Sequence, residues 1–175
     1  MIKSRIQIEG DDNIYDTEYK FGLIQIKSDN ILSAPIKSFD KTSYPEEEGE
    51  HINPRTVDNA FDYKVNFFVS ARGGVESANW KINEFNSAIC TIEDGVKKFN
   101  QLTFYNDYKG VKIVGIPEPI MQATEFWRDK RGVQHDVVCV ELVIHVGKPS
   151  LCNFNIANED YEVLYVQQEV FYVKK

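Results

Sequence analysis

The chain has 175 residues, of which 42% are hydrophobic and 27% charged, and its formal net charge is −7 at pH 7. A single domain of this size buries roughly two-thirds of the surface that its unfolded chain exposes, so a substantial core is expected. The acidic balance argues against a nucleic-acid partner, because binding phosphates requires clustered Lys and Arg. The sequence contains no run of about 18 apolar residues, so it predicts no membrane span. Its three cysteines lack paired spacing, which indicates reduced thiols. We therefore expect a soluble protein made in the cytoplasm.

The N-terminal third of the chain predicts strands followed by a long loop. Ile2–Ile8 alternates apolar and polar residues, which is typical of a half-exposed strand. A turn rich in Asp and Asn follows at residues 10–13, and Tyr19–Lys27 predicts a second strand. Residues 41–57 contain two prolines, a glycine and four glutamates. A loop of this length is either a solvated loop or an arm used in assembly.

The middle of the chain predicts a strand, a turn and one amphipathic helix. Phe61–Ser70 alternates with period two, which places one set of apolar residues on a single face, namely Tyr63, Val65, Phe67 and Val69. Gly73 and Gly74 then predict a sharp turn. The next apolar residues recur at spacings near three and four, which predicts a helix near 77–92: Trp80, Ile82, Phe85, Ala88 and Ile89. We expect Ser77 or Asn79 to cap this helix, and Cys90 to lie on it as a small buried hydrophobe.

The last third predicts further strands. Residues 102–105 and 111–115 are apolar strands on either side of a tight turn, and Ile120–Trp127 and Val137–Val146 predict a long hairpin with a charged tip at 128–132. Val137–Val146 is apolar on both faces, which predicts a central strand covered on both sides. Residues 161–173 predict one or two strands that either close the sheet or reach a neighbour.

These elements predict an α+β, mostly β fold: an antiparallel β-sandwich or partly open barrel with one helix packed on the sheet. We expect one β-rich domain over residues 1–150, with residues 151–175 as a C-terminal β arm or closing strand.

No pattern for catalysis or metal binding occurs in the sequence. His51, His135 and His145 lack the spacing that places two imidazoles on one metal. A metal shared by Glu141 and His145 is not expected, since four residues of strand span roughly 13 Å. Phosphate-binding glycine loops and the nucleophile elbow are also absent from the sequence. We therefore expect no enzyme, no cofactor and no metal site, although two distant acids could still meet in the fold.

Several short motifs occur in a characteristic order along residues 1–150. They are a proline segment (Ser33–Lys37), a proline- and glycine-bearing loop (Tyr44–Gly49), an aromatic strand (Tyr63–Val69), a helix with Trp and Phe (Asn79–Phe85), a strand into an acidic turn (Leu102–Asp107) and an apolar strand ending in proline (Val138–Pro149). This order resembles the N-terminal domain of distal tail proteins, which form the baseplate hub of long-tailed bacteriophages and prophages. Two departures stand out: the chain has no room for the second domain common in that family, and its loop is rich in glutamate rather than glycine.

The resemblance implies a structural role in a virion tail. Copies of the chain would form a ring, expected to be a hexamer, that joins the tail tube and neighbouring tail proteins to the adsorption machinery. Ring closure needs a repeated head-to-tail interface, and edge strands and long loops are suited to form one. The candidate interface residues are Phe39, Tyr44 and Ile52 in the long loop, and Tyr165 and Phe171 in the final strands. Alternatively, Phe39 and Ile52 belong to the core, and the final strand pairs within its own sheet.

The other function that the sequence supports is a carbohydrate- or peptide-binding β-sandwich. Nine tyrosines and two tryptophans favour it, because aromatic faces stack on sugar rings. Trp80 is predicted to pack the helix on the sheet, which leaves Trp127, beside the charged tip, as the candidate for ligand stacking. An exposed Trp127 would favour binding, and a buried one would favour a structural role. An enzyme of another type would require a pocket that holds acids or histidines with shifted pKa values.

Overall fold

The computed structural model describes residues 4–31, 33–35 and 58–156 in full, and the backbone of residues 41–42, 51–52, 161–166 and 169–174. The strands are β1 (Ser4–Ile8), β2 (Ile14–Asp16), β3 (Leu23–Ser28), β4 (Lys41–Thr42), β5 (His51–Ile52), β6 (Phe61–Ser70), β7 (Cys90–Glu93), β8 (Val96–Phe99), β9 (Leu102–Asn106), β10 (Val111–Pro117), β11 (Val137–Val146), β12 (Tyr161–Val166) and β13 (Glu169–Lys174). The helices are α1 (Thr17–Phe21), α2 (Val75–Ala88) and a 3-10 turn (Pro149–Leu151).

Seven strands form one antiparallel sheet, the large sheet, in the order β2-β1-β9-β10-β11-β6-β3. The remaining described strands form three separate hairpins, β4–β5, β7–β8 and β12–β13. The predicted α+β, mostly β fold with antiparallel strands and one main helix is confirmed.

The large sheet folds over on itself at β10. This strand pairs with β9 along Val111–Gly115 and then with β11 at Ile116 and Pro117. As a result, the ring centroids of Tyr63 on β6 and Phe104 on β9 lie 6.0 Å apart. In a flat sheet, strands three places apart would be separated by about 14 Å. The two ends of the sheet therefore face each other across a shared core, as in a sandwich, and the described strands do not close into a barrel.

Helix α2 covers this core with one face. Ala78, Ile82 and Phe85 are buried, and the Phe85 ring meets the Phe21 ring edge-on at 5.3 Å between centroids. The prediction that Trp80 packs on the sheet is wrong, because its side chain is 68% exposed. At about 100° per residue, Trp80 lies about 200° around the helix from Ile82, and this rotation places it on the opposite face.

The ends of α2 also differ from the prediction. The helix begins at Val75 after Gly74, which has φ 96° and provides no side-chain cap. Ser77, predicted as a cap, instead donates its hydroxyl to the Gly74 carbonyl at 2.8 Å. The helix ends at Ala88, so Cys90 begins β7 and is half-buried rather than lying on the helix.

The predicted strand Tyr19–Lys27 is half wrong, since its first part is the short helix α1. The Asp16 carboxylate accepts the backbone N–H groups of Glu18 and Tyr19, both at 2.9 Å. These bonds satisfy free donors at the start of the helix. Gly22 ends the helix in the left-handed conformation with φ 67°, and β3 follows directly.

Strand β1 is less exposed than predicted. Ser4–Ile8 forms the expected strand, but Arg5 on its supposedly exposed face is 6% exposed. Its guanidinium forms an ion pair with the Asp107 carboxylate. Burial of the charge is tolerated because it is paired and hydrogen-bonded.

Strand β11 has the predicted bounds, Val137–Val146, and lies between β10 and β6. The side chains of its inner face are buried, namely Val138, Val140, Leu142, Ile144 and Val146. The prediction that both faces are covered is wrong, because Cys139, Glu141 and His145 on the other face are exposed. On this face the exposed residues alternate with the partly buried Val137 and Val143, so the face is in contact with solvent.

The segment Ile120–Trp127, predicted as the partner strand of β11, forms no strand. We name residues 118–127 the strap. Two asparagines of α2 hold its backbone: Asn86 bonds the N–H and carbonyl of Ile120 at 2.8 and 2.9 Å, and Asn79 bonds those of Ala123 at 2.9 Å. The strap therefore runs along the helix instead of extending the sheet.

Candidate functional site

The predicted interface residues lie in the loop and hairpins outside the large sheet. Phe39 and Tyr44 fall outside the described residues. Ile52 belongs to β5 and is the register partner of Lys41. Tyr165 and Phe171 belong to β12 and β13, which pair with one another in register. A role for these five residues in assembly stays a prediction.

Trp127 lies at the end of the strap and is half-buried. Its ring packs against Phe68 of β6 at 4.9 Å and against His135 at 5.1 Å between centroids. Its backbone N–H donates to the Val137 carbonyl at 2.8 Å, which fixes the strap to the start of β11. These contacts favour a structural role, and ligand stacking by Trp127 stays a prediction.

Several large apolar side chains are more than two-thirds exposed, and of these the sequence analysis considered only Trp80: Trp80, Ile92, Val96, Tyr108 and Met121. Ile92 and Val96 lie on the β7–β8 hairpin, which follows α2 directly and whose residues 91–98 are all exposed. Its turn, Asp94–Gly95, has positive φ at both residues, 51° and 78°. The Asp-Gly pair between β-branched residues was the sequence signal for this hairpin. Ile92 and Val96 thus lie on one exposed stretch of chain, residues 91–98, while Trp80 is exposed on the outer face of α2.

A cluster of three titratable side chains lies on the outer face of the large sheet. His145 of β11 is the register partner of Asp62 on β6, and its Nδ1 lies 2.6 Å from the Asp62 carboxylate. Its Nε2 lies 2.7 Å from the carboxylate of Glu118, the first residue of the strap. All three side chains are about half exposed, and Asp62 and His145 line a shallow cleft of about 360 Å³.

The two carboxylates raise the pKa of His145 above its ordinary value of 6.5, chiefly through the hydrogen bond to Asp62 and then that to Glu118. A ring that donates from both nitrogens is protonated and has no lone pair with which to accept a proton. The cluster is therefore suited to hold a charge rather than to act as a base.

Metal binding is not supported in the part of the chain that the structure describes, where no group of three or more His, Cys, Asp or Glu residues is placed to hold an ion. Glu141 pairs with Lys64 at 3.6 Å rather than with His145.

A polar network ties the turn after β9 to β1 and to the edge strand β3 of the large sheet. Arg5 of β1 holds Asp107, with Nε 2.7 Å from Oδ2. Lys109 donates to the carbonyls of Ser28 and Asp29 at the end of β3, at 2.8 and 2.7 Å, and burial lowers its pKa. Asn106, fully buried, donates to the Ser28 hydroxyl at 2.8 Å. The network joins the two ends of the folded sheet and serves the fold.

Comparisons with known proteins found a similar fold but no similar sequence. The sequence matches no protein-family model and none of the curated proteins. The structure is similar to that of SPP1 Dit (gp 19.1), described as a paradigm of the hub adsorption apparatus in phages that infect Gram-positive bacteria. The TM-score is 0.51 and the identity 14%, over 83% of this chain and 50% of SPP1 Dit. The chain thus spans about half of that protein's length and shares its fold there. In the described residues, no helix is long and apolar enough to cross a membrane.

Proposed function

We propose that this chain is a structural protein of a bacteriophage or prophage tail that assembles into a ring at the tail hub. The observation that carries the proposal is the fold, which is similar to that of a phage hub protein over 83% of the chain. The proposed partners are further copies of the chain, six in a closed ring, and neighbouring tail proteins. The chain would assemble in the cytoplasm of the host and end in the virion tail.

The surface of the fold supports assembly. The β3 edge of the large sheet and the separate hairpins offer backbone groups for pairing with another copy. The β7–β8 hairpin carries Ile92 and Val96 at 71% and 68% exposure. Large exposed apolar side chains of this kind are typical of surfaces that another protein covers. Ile92 and Val96 therefore join the five candidates from the sequence as proposed interface residues, namely Phe39, Tyr44, Ile52, Tyr165 and Phe171.

The test is the solution mass, measured by light scattering across the micromolar range. We expect a species of six times the 20.2 kDa of one copy, or a shift towards it as concentration rises. The double variant Ile92→Glu and Val96→Glu should shift the mass towards one copy, because a buried unpaired carboxylate is costly. Val133→Glu is the matched control, since Val133 is 53% exposed but lies in the loop before β11.

A single copy at every concentration would contradict self-assembly into a ring. If the double variant Ile92→Glu and Val96→Glu forms the same oligomer as the wild type, the ring is supported but the β7–β8 hairpin is excluded from its interface.

A further inference from the structure

Asp62, His145 and Glu118 connect three separate parts of the chain. Asp62 lies on β6, His145 on β11, and Glu118 begins the strap. The Glu118 backbone N–H also donates to the Val143 carbonyl at 2.8 Å, so both its backbone and its side chain fasten the strap to β11. The imidazole is therefore the side-chain link between the start of the strap and the sheet, beside the backbone bond from Glu118 to Val143.

The geometry of this link requires a proton. Both ring nitrogens of His145 lie within 2.7 Å of carboxylate oxygens. A carboxylate only accepts hydrogen bonds, and a neutral imidazole has one donor and one lone pair. Once the ring is neutral, one of the two carboxylates must face that lone pair at hydrogen-bond distance, and the contact becomes repulsive.

We propose that Asp62, His145 and Glu118 form a proton-operated latch that fastens the start of the strap to the sheet while His145 is charged and loosens it when the ring is neutral. The latch is independent of the proposed ring.

Loosening Glu118 has a local consequence. The strap and β11 enclose a groove of about 270 Å³, lined among others by Glu118, Met121 and Cys139. Beyond Glu118, the strap remains fastened to α2 at Ile120 and Ala123. Opening the latch thus frees the Glu118 side chain and leaves this end of the strap held by the Glu118–Val143 backbone bond, whose protection from exchange should then fall.

The charged groups near the ring indicate that His145 is the group whose titration operates the latch. Asp62 faces the ring from β6 and Glu118 faces it from the strap, while β10 places Ile116 opposite His145. The other charges of this face, Lys64 and Glu141, pair with each other, and Lys112 lies at the far end of β10 opposite Tyr105.

The sign of the pH dependence follows from the raised pKa of His145. A group whose pKa is higher in the folded state stabilises that state fully below its unfolded value, near 6.5, and loses this effect as pH rises through the folded value. The latch is therefore closed in acid and opens on the alkaline side of the folded pKa.

The experiment combines two measurements on the full chain. Nuclear magnetic resonance titration gives the pKa of the His145 ring, and hydrogen exchange, corrected for the intrinsic pH dependence, gives the protection of the Glu118 amide, which donates to the Val143 carbonyl. We expect protection to fall at least threefold as pH rises through the His145 titration. Glu118→Gln should lower the pKa of His145, because it removes one of the two carboxylates that raise it.

Two variants complete the test. In His145→Gln the protection should no longer depend on pH and should equal that of the wild type at high pH. The matched control is His135→Gln, which removes the other exposed His–Asp pair, at 3.3 Å from Asp129, and should keep the pH step. A His145 pKa at or below 6.5, constant protection in the wild type, or a pH step retained in His145→Gln would each overturn the latch. If His145→Gln fails to fold, Glu118→Gln decides: the Gln amide can pair with the ring in either protonation state, so a pH step retained in this variant would overturn the latch.

Discussion

Gly115 occupies the point in β10 where the partner strand changes from β9 to β11. A Cβ added there would lie 2.4 Å from the His145 carbonyl oxygen and 2.8 Å from Cγ2 of Ile144. Side-chain carbons do not approach backbone oxygens so closely, so any larger residue would push β10 and β11 apart. The absence of a side chain at this residue lets the sheet fold over.

We expect Gly115→Ala to lower the free energy of unfolding by about 1–3 kcal/mol, as overpacking of a filled site does. Urea unfolding measures this change. Gly147→Ala is the control, because a Cβ at Gly147 meets no atom within 4 Å, and it should change the free energy by less than about 0.5 kcal/mol. Equal effects of the two substitutions would contradict the steric role of Gly115.

Among the elements, helix α2 has side chains with three different roles. Ile82 and Phe85 are fully buried against the core, Asn79 and Asn86 hold the strap, and Trp80 is exposed. An amphipathic helix normally separates apolar and polar faces, so an exposed Trp on its outer face is the exception. Since Trp80 contributes little to the core, it is available for contact with another molecule.

We expect Phe85→Ala to cost about 3–5 kcal/mol of unfolding free energy, because it leaves a cavity under α2. Trp80→Ala should change the free energy by less than about 0.5 kcal/mol, as most exposed substitutions do. Urea unfolding monitored by circular dichroism measures both changes in unfolding free energy. A loss of several kcal/mol in Trp80→Ala would show that Trp80 packs in the folded state after all.

At the scale of the whole molecule, strands from distant parts of the chain form the large sheet. For example, β1 pairs with β9, and β3 pairs with β6. Residues up to Ile156 also take part: Asn153 bridges to Lys112, and the Ile156 N–H donates to the Gly110 carbonyl at 2.8 Å. Strands β12 and β13, in contrast, pair with each other, and β13 lies beside β2 at the edge of the large sheet without joining its ladder. The chain up to Ile156 therefore contains the complete large sheet.

A chain that ends at Ile156 should keep the fold, with a thermal midpoint within a few degrees of the full chain, because every strand of the large sheet remains. If β12–β13 is an arm of the proposed ring, the same deletion should reduce the solution mass towards one copy. Thermal unfolding and light scattering test the two statements separately. If the shortened chain is unfolded, the first statement is contradicted. If its oligomer is unchanged, β12–β13 is not part of the ring interface.

Elements whose signals are local could be predicted from the sequence alone. Strands β6 and β11 have the predicted bounds because alternation places every second side chain on one face, whatever the rest of the chain does. The turn at Gly73–Gly74 and the presence of α2 follow from equally local patterns. The α+β, mostly β class then follows from the number and order of such elements.

The tertiary structure decided what depends on pairing between distant residues. Period-two alternation does not encode strand order or register, so the sequence could not place Asp62 opposite His145, or Arg5 beside Asp107. It also could not show that Asn79 and Asn86 would hold residues 118–127 along α2 instead of in the sheet. A side chain's partners are set by the folded path of the whole chain, and periodicity reports only the face on which that side chain lies.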